Sequence, residues 1–306
     1  MRRWLLVLLV ACVPAAAAET WRFAVIGDTP YSDFERRELP RMLEAIADQG
    51  VDVVTHIGDF KSGQERCDDT LFEARRTTFE ASRVPFVYLP GDNEWTDCER
   101  VSNGGYDPLE RLQKLRSLFW RDDRSLGQRR IALEQQSPAY PEHARFRLGP
   151  VLFVSLNIPG WDNNFGPGAE PRGEFTARNG QVLNWIRGGF ARARKEKLSG
   201  IVLLMQANPS FDTFARGLPN RGFVDLLELI RRETLDFPGQ VLLVHGDTHW
   251  QRIDHPLRTA TGGAIANFTR LESFGYPTMG WVKVVIDTGL PQLYRFEVHP
   301  WPPRQP

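Results

Sequence analysis

Four hydrophobic runs in this 306-residue chain each end in the same dipeptide, Gly-Asp. Phe23-Ala24-Val25-Ile26 leads into Gly27-Asp28, and Val53-Val54-Thr55-His56-Ile57 into Gly58-Asp59. Phe86-Val87-Tyr88-Leu89-Pro90 leads into Gly91-Asp92, and Val241-Leu242-Leu243-Val244-His245 into Gly246-Asp247. Composition alone gives roughly one or two such pairs, placed anywhere along the chain; here all four close a buried-strand pattern. In an open α/β sheet, ligands bind beyond the carboxyl ends of the strands, so the pattern gathers four carboxylates on one rim. Glycine ahead of each aspartate is expected to let the backbone turn sharply and to leave room at a crowded strand end. Four carboxylates in one cleft repel and raise each other's pKa unless a cation sits among them. The pattern therefore points to a metal site. The competing reading, in which each aspartate only caps a following helix, suits Asp28 and Asp59 but needs four coincidences on one rim.

Strand and helix patterns alternate along the rest of the chain. Leu39, Met42, Leu43, Ile46 and Ala47 share one helical face that Gly50 ends. The intervals from Asp28 to Asp59 and from Asp59 to Asp92 each suit one βαβ unit. Strands are expected at 151–157 and 201–206, a helix from about Thr176 to Lys195, and an amphipathic helix carrying Phe223, Leu226, Leu227 and Ile230. Near the C-terminus, 281–287 and 293–298 read as strands joined by a Gly/Pro turn with no helix between them. Parallel units followed by a meander predict an α/β fold of two packed mixed β-sheets flanked by helices. Two Gly/Pro/Asn-rich segments, 158–175 and 209–222, follow strand ends and are expected to be binding loops.

Residues 1–18 read as an export signal, with Arg2-Arg3, an apolar Trp4 to Val13 and the small residues Ala16-Ala17-Ala18. The apolar stretch is too short for a permanent membrane span, and 19–306 is expected to form one domain. The expected location is periplasmic or secreted; Leu9-Val10-Ala11-Cys12 also fits a lipobox, the weaker alternative because cleavage there leaves a very short signal. Outside the leader only Cys67 and Cys98 remain, and an even pair in an exported chain favours a disulfide tying two rim loops. Formal net charge is zero, which gives no electrostatic footprint for nucleic acid or an anionic membrane and disfavours a nuclease. His56 and His245 lie inside apolar runs and read as core histidines. Trp95, Trp161 and Trp250 follow motifs or strand ends and are candidates to stack a planar group; Arg100, Arg172 and Arg252 are candidates to grip phosphate.

The order and spacing of the Gly-Asp turns resemble the calcineurin-like metallophosphoesterase superfamily. Its motifs run Asp-x-His, Gly-Asp, Gly-Asn-His-Asp/Glu, a histidine at a strand end, and Gly-His-x-His. The matching stretches are Gly27-Asp28-Thr29-Pro30, Gly58-Asp59-Phe60, Gly91-Asp92-Asn93-Glu94, Gln206-Ala207-Asn208-Pro209 and Gly246-Asp247-Thr248-His249. The segment from Gln181 to Ile186 resembles the helix that commonly lies between the third and fourth motifs. The resemblance spans nearly the whole mature chain and implies a four-layer α/β/β/α sandwich. Carried over by residue, Asp28, Asp59 and His249 serve one metal, and Asp59, Asp92 and Asp247 the other, with Gln206 or Asn208 as an additional ligand.

This chain departs from the family at five places. Pro30 replaces a ligating histidine, Asp92 a ligating asparagine, and Asn93 the histidine assigned as proton donor, while Gln206 or Asn208 stands for the fourth-motif histidine and Asp247 for the first histidine of the last motif. The set has become oxygen-rich, which favours Mn²⁺, Mg²⁺ or Ca²⁺ over Zn²⁺ or Fe. Four carboxylates call for two divalent cations. The resemblance thus implies a metal-dependent phosphoesterase that hydrolyses a small-molecule phosphate mono- or diester through a metal-activated water. Asp59 bridges the ions, and Asn93, in the acid's position, cannot donate a proton at neutral pH. The alternative is a non-catalytic exported binding protein that keeps the fold.

Overall fold

The computed structural model describes residues 19–302; the leader expected at 1–18 lies outside them. Three of the Gly-Asp runs are β1(Thr20–Ile26), β2(Val53–His56) and β3(Phe86–Tyr88), which pair in parallel. α1(Asp33–Asp48) and α2(Asp69–Glu80) supply the crossovers, and α3(Pro108–Phe119) follows β3. α1 starts where Ser32 Oγ accepts the Glu35 N–H at 3.2 Å, while the Glu35 carboxylate accepts the Tyr31 N–H at 2.5 Å. It buries Leu39, Met42, Leu43 and Ile46 and stops at Gly50, whose φ of 65° only glycine adopts cheaply.

β4(Glu134–Ser137), β5(Tyr140–Leu148) and β6(Val151–Ser155) form an antiparallel meander. From β6 the chain goes through a one-turn segment, α4(Gly160–Asn163), and the long α5(Gly173–Lys195) to β7(Gly200–Leu204). Next come α6(Phe211–Ala215), α7(Val224–Leu235) and β8(Gln240–His245), the fourth Gly-Asp run. β9(Arg252–Asp254), β10(Phe268–Glu272), β11(Gly280–Asp287) and β12(Tyr294–Pro300) complete the fold. One sheet has the order β12-β11-β1-β2-β3 and the other β4-β5-β6-β7-β8-β10-β9. The C-terminal pair β11–β12 is antiparallel without a helix, as expected, and β11 runs antiparallel to β1.

Strand alternation explains the layering. Phe23, Val25, Val53 and Ile57 pack against Phe153, Val202, Leu242 and Val244 between the sheets. Their neighbours Ala24, Ile26 and Val54 turn outward onto α1 and α2 through Leu39, Met42 and Phe79. On the other side Val154, Leu203 and Leu243 meet Val182, Ile186 and Phe190 of α5 and Leu227 and Ile230 of α7. Helix, sheet, sheet and helix form the four layers, and the β1, β2, β3 and β8 carboxyl ends meet at one rim.

His56 and His245 are fully buried, as their apolar settings imply. So is His143 on β5, whose Nδ1 lies 2.6 Å from Gln136 Oε1 while Nε2 has no partner; burial lowers its pKa to about 4. The unfolded chain takes up that proton near pH 6.5, so the stability tied to His143 is complete above that value and lost as pH falls through 4. At about 1.4 kcal/mol per unit this amounts to roughly 3 kcal/mol. His143→Gln is expected to flatten the acid limb of stability by that amount, read by urea denaturation at pH 7 and at pH 4.5.

Candidate metal centre

The four aspartates come together, but not as helix caps. α1 is capped by Ser32, α2 begins at Asp68 and α3 is capped by Asp107. The turn geometry is also the reverse of expectation. The left-handed residues are Asp28, Asp59 and Asp247 themselves (φ 50°, 58° and 75°), whereas among the four preceding glycines only Gly58 has a positive φ. Space is what the glycines supply. A Cβ on Gly91 would sit 2.0 Å from Asp59 Oδ1, and one on Gly246 would sit 2.1 Å from Asp28 Oδ2.

Each carboxylate has a different environment. Asp28 is fully buried, and both its oxygens accept the Asp247 N–H, at 3.1 and 3.2 Å. His249 Nε2 lies 3.5 Å from Asp28 Oδ1, and its Nδ1 is 2.6 Å from the Tyr276 carbonyl oxygen. Burial raises the pKa of Asp28, and the His249 contact works against that. Burial opposes protonation of His249, but Asp28 outweighs it and holds the ring up at about pKa 9. Each ring nitrogen thus faces an oxygen acceptor. His249 stands beside Asp28 at the rim, where the resemblance places a ligand.

Asp59 is the most crowded. Its Oδ1 accepts the Asn93 N–H at 3.1 Å, and its Oδ2 accepts from Asn93 Nδ2 at 2.9 Å, Tyr31 Oη at 3.1 Å and Gln206 Nε2 at 3.1 Å. Gln206 Oε1 accepts the Gly160 N–H at 2.7 Å, which fixes the amide with nitrogen toward the carboxylates. Gln206 thus offers its donor rather than its oxygen to this cleft. Asn208 acts through its backbone N–H, 3.0 Å from Asp247 Oδ2, while its amide nitrogen turns to Thr248 Oγ1.

Asp92 stands apart. It is buried, makes no side-chain hydrogen bond among the described residues, and its Oδ1 is fully enclosed without a partner. Asp92 Oδ2 and Asp247 Oδ1 both lie 2.8 Å from the point a Cβ on Gly160 would occupy, so they flank one small space. Burial raises Asp92 well above the usual carboxylate range and the Asp247 charge adds to it; burial likewise lifts Asp247 to about 6.

Among the described residues, no three His, Cys, Asp or Glu side chains stand close enough together to hold one ion. Donors from Tyr31, Asn93 and Gln206 occupy the Asp59 oxygens that the resemblance assigns to bridging two ions. The Asp92–Asp247 pair does fit a hard cation by its chemistry: one buried and one partly buried carboxylate share a space, and the buried one lacks any other partner. Magnesium in particular uses one or two carboxylates, completing its shell with water and substrate phosphate.

Three further participants were given no role by the sequence. Tyr31 has its hydroxyl on Asp59. Glu94, part of the third motif, accepts the Phe60 N–H at 2.5 Å and the Gly91 N–H at 3.1 Å, stapling the turns after β2 and β3; burial raises it to about 7. Lys61, fully buried, donates to the Asn93 carbonyl oxygen at 2.8 Å. The expected disulfide Cys67–Cys98 is present, with both sulfurs within 3.7 Å of that same oxygen.

Beside the rim, the loop after β6 and the turn after β3 enclose a recess of about 440 Å³ lined by Asp97, Arg100, Trp161, Arg172 and Arg221. Trp161 is 72% exposed, with the Arg100 guanidinium 5.2 Å from its ring centre. Trp95 is wholly buried and cannot stack a ligand; Trp250 is exposed outside this recess, and Arg252 pairs with Glu272 at 2.8 Å. A larger recess of about 610 Å³ lies at the opposite, amino ends of β7 and β8, away from the carboxylates.

Compared with known proteins, the chain matches no family model and no curated protein, whereas solved structures do align. A dimetal phosphatase from Danio rerio superposes over 92% of this chain and 99% of its own, with a TM-score of 0.55 at 12% identity. This is the calcineurin-like metallophosphoesterase fold. A purple acid phosphatase from yellow lupin seeds shares it over 87% of this chain and 49% of its own, with a TM-score of 0.51 and 12% identity. So does GAP50, described as the anchor in the inner membrane complex of Plasmodium, over 92% and 89%, with a TM-score of 0.53 and 12% identity. The metallophosphoesterase fold thus accounts for the Gly-Asp rim, while at these identities the likeness concerns architecture alone.

Proposed function

We propose that the chain is an exported phosphoesterase dependent on a hard divalent cation, with Asp92 and Asp247 as the first ligands. The observation that carries this reading is the buried Asp92 carboxylate, which has no partner and faces Asp247 across a small space. When bound, Mg²⁺, Mn²⁺ or Ca²⁺ supplies charge neutralisation at phosphate and an acidified water. Asp28 and Asp59 would be the residues to hold a second ion. Asn93 and Gln206 meanwhile hold Asp59 in position through their amides. The organic part of a small phosphate ester lies in the recess of Trp161, Arg100 and Arg172.

Asn93 cannot protonate a leaving group; His249, half-buried at the rim with Asp28 raising its pKa, takes that role through Nε2, whose contact with Asp28 Oδ1 is a loose 3.5 Å. His249→Asn is expected to slow hydrolysis of alkyl phosphates by roughly 10²–10⁴-fold while nitrophenyl esters, whose leaving group needs no proton, change little. Equal losses on both ester types would assign His249 to cation or phosphate binding instead.

A second reading, a non-catalytic exported binding protein, is favoured by the crowding of Asp59, whose Oδ2 already accepts three donors. GAP50 carries the fold as an anchor. Absence of turnover on aryl mono- and diesters with Mn²⁺, Mg²⁺ or Ca²⁺ present selects this second reading.

A further inference from the structure

Away from the rim, the loop after β2 and the first turn of α2 build a separate basic site. Arg75 on α2 is only 6% exposed. Its Nε donates to the Phe60 carbonyl oxygen at 2.8 Å, and among the described residues no carboxylate comes within ion-pair range of it. A buried cation without a counter-ion is costly to desolvate, and burial lowers the pKa of Arg75 to about 10.

Arg75 lines an open recess of about 480 Å³ together with Arg36, Arg66, Thr70 and Leu71. Glu65 and Asp68 share its wall, but each is already matched: Glu65 by Arg36 at 2.7 Å and Asp68 by Arg66 at 3.2 Å. Arg36 also holds Asp33 at 2.5 Å, so of the three guanidiniums only Arg75 has no carboxylate partner among the described residues. Arg66 engages Asp68 through Nε alone, so its terminal nitrogens are uncommitted.

The helix adds to this. Asp68, the N-cap of α2, makes no side-chain cap bond; its carboxylate serves Arg66 and Tyr106 instead. The Thr70 amide, which a cap would satisfy, and the Asp69 amide before it have no acceptor among the described residues. Free first-turn amides and the positive helix end both favour an anion.

We propose that this recess binds a small tetrahedral oxyanion, with phosphate as the fitting probe. The Arg75 and Arg66 guanidiniums grip its oxygens, and the first turn of α2 supplies amide donors. The site shares no residue with the carboxylate rim and stands whether or not the rim is catalytic. The oxyanion comes either as inorganic phosphate or as the phosphate group of a larger molecule.

Calorimetric titration of the whole chelator-treated protein with inorganic phosphate, at ionic strength held constant with chloride, tests the proposal. Wild type and Asp92→Asn are expected to bind one phosphate with similar affinity. Arg66→Gln, a surface change that should leave folding intact, is expected to weaken binding tenfold or more, and Arg75→Gln to abolish it. Competition by a sugar phosphate at equal affinity identifies a phosphorylated molecule as the fitting ligand; binding of inorganic phosphate alone identifies the free ion. No phosphate binding beyond chloride overturns the proposal. So does binding that Asp92→Asn abolishes and Arg66→Gln leaves unchanged, since that places phosphate at the rim.

Discussion

Chelator-treated protein is expected to gain about 2.7 kcal/mol of stability from Mn²⁺ or Mg²⁺ at a hundredfold excess over Kd, and Asp92→Asn to lose nearly all of that gain. The physical reason is the cost of burying a carboxylate without a partner. Asp92 is buried without a hydrogen bond, and Asp247 lies across a space small enough for both to share one cation. An ion placed there relieves the repulsion and replaces the water the carboxylate gave up on folding. Asp59→Asn is expected to leave this first ion in place, because the Asp59 oxygens are directed at Tyr31, Asn93 and Gln206. Denaturant titration with and without each ion, plus elemental analysis of protein purified without chelator, measures both. Stoichiometric zinc or iron with no response to Mn²⁺ or Mg²⁺ would falsify the hard-ion reading. An absence of any bound cation favours the binding protein.

The second large effect concerns Cys67–Cys98. The bridge closes a loop with a sequence separation of 31, and chain-entropy arguments for a loop of that size give about 3.5 kcal/mol. Both sulfurs lie against the Asn93 carbonyl oxygen, the one that also receives Lys61. Removing the bridge therefore loosens the turn that carries Asp92 and Asn93. The double variant Cys67→Ser with Cys98→Ser is expected to lose that stability and to bind the rim cation more weakly. Unfolding midpoints in urea that are the same for the oxidised, reduced and doubly substituted proteins would exclude a stabilising role for the bridge.

The parts of this molecule written in its sequence are those set by one period. The four Gly-Asp runs, the α1 stripe ending at Gly50 and the 281–298 meander all follow from side-chain alternation and stop signals. Here the observed bounds differ from expectation by a few residues: α5 starts at Gly173 rather than Thr176, and β7 at Gly200 rather than Ile201. The β4–β5 pair was not legible, because β4 is Glu-Gln-Gln-Ser and carries no apolar alternation. At the site, the carboxylate inventory was readable and its wiring was not. Nothing local says that the Gln206 amide points its nitrogen inward, since the Gly160 N–H decides that from 46 residues away. Nor does sequence tell which partners the His249 ring meets, since those are set by where Asp28 and the Tyr276 carbonyl fall.

The pairing of β1 with β11 has a consequence for how the molecule comes together. Thr20 sits opposite Asp287 and Val25 opposite Val282, so the strand that brings Asp28 to the rim gains its second neighbour only after nearly the entire chain has been made. Loop closure over such a span is entropically slow. Until then β1 is an exposed edge whose unpaired backbone groups are a template for pairing with other chains. Fragments that stop short of residue 280 should therefore aggregate or be degraded rather than persist as smaller folded cores.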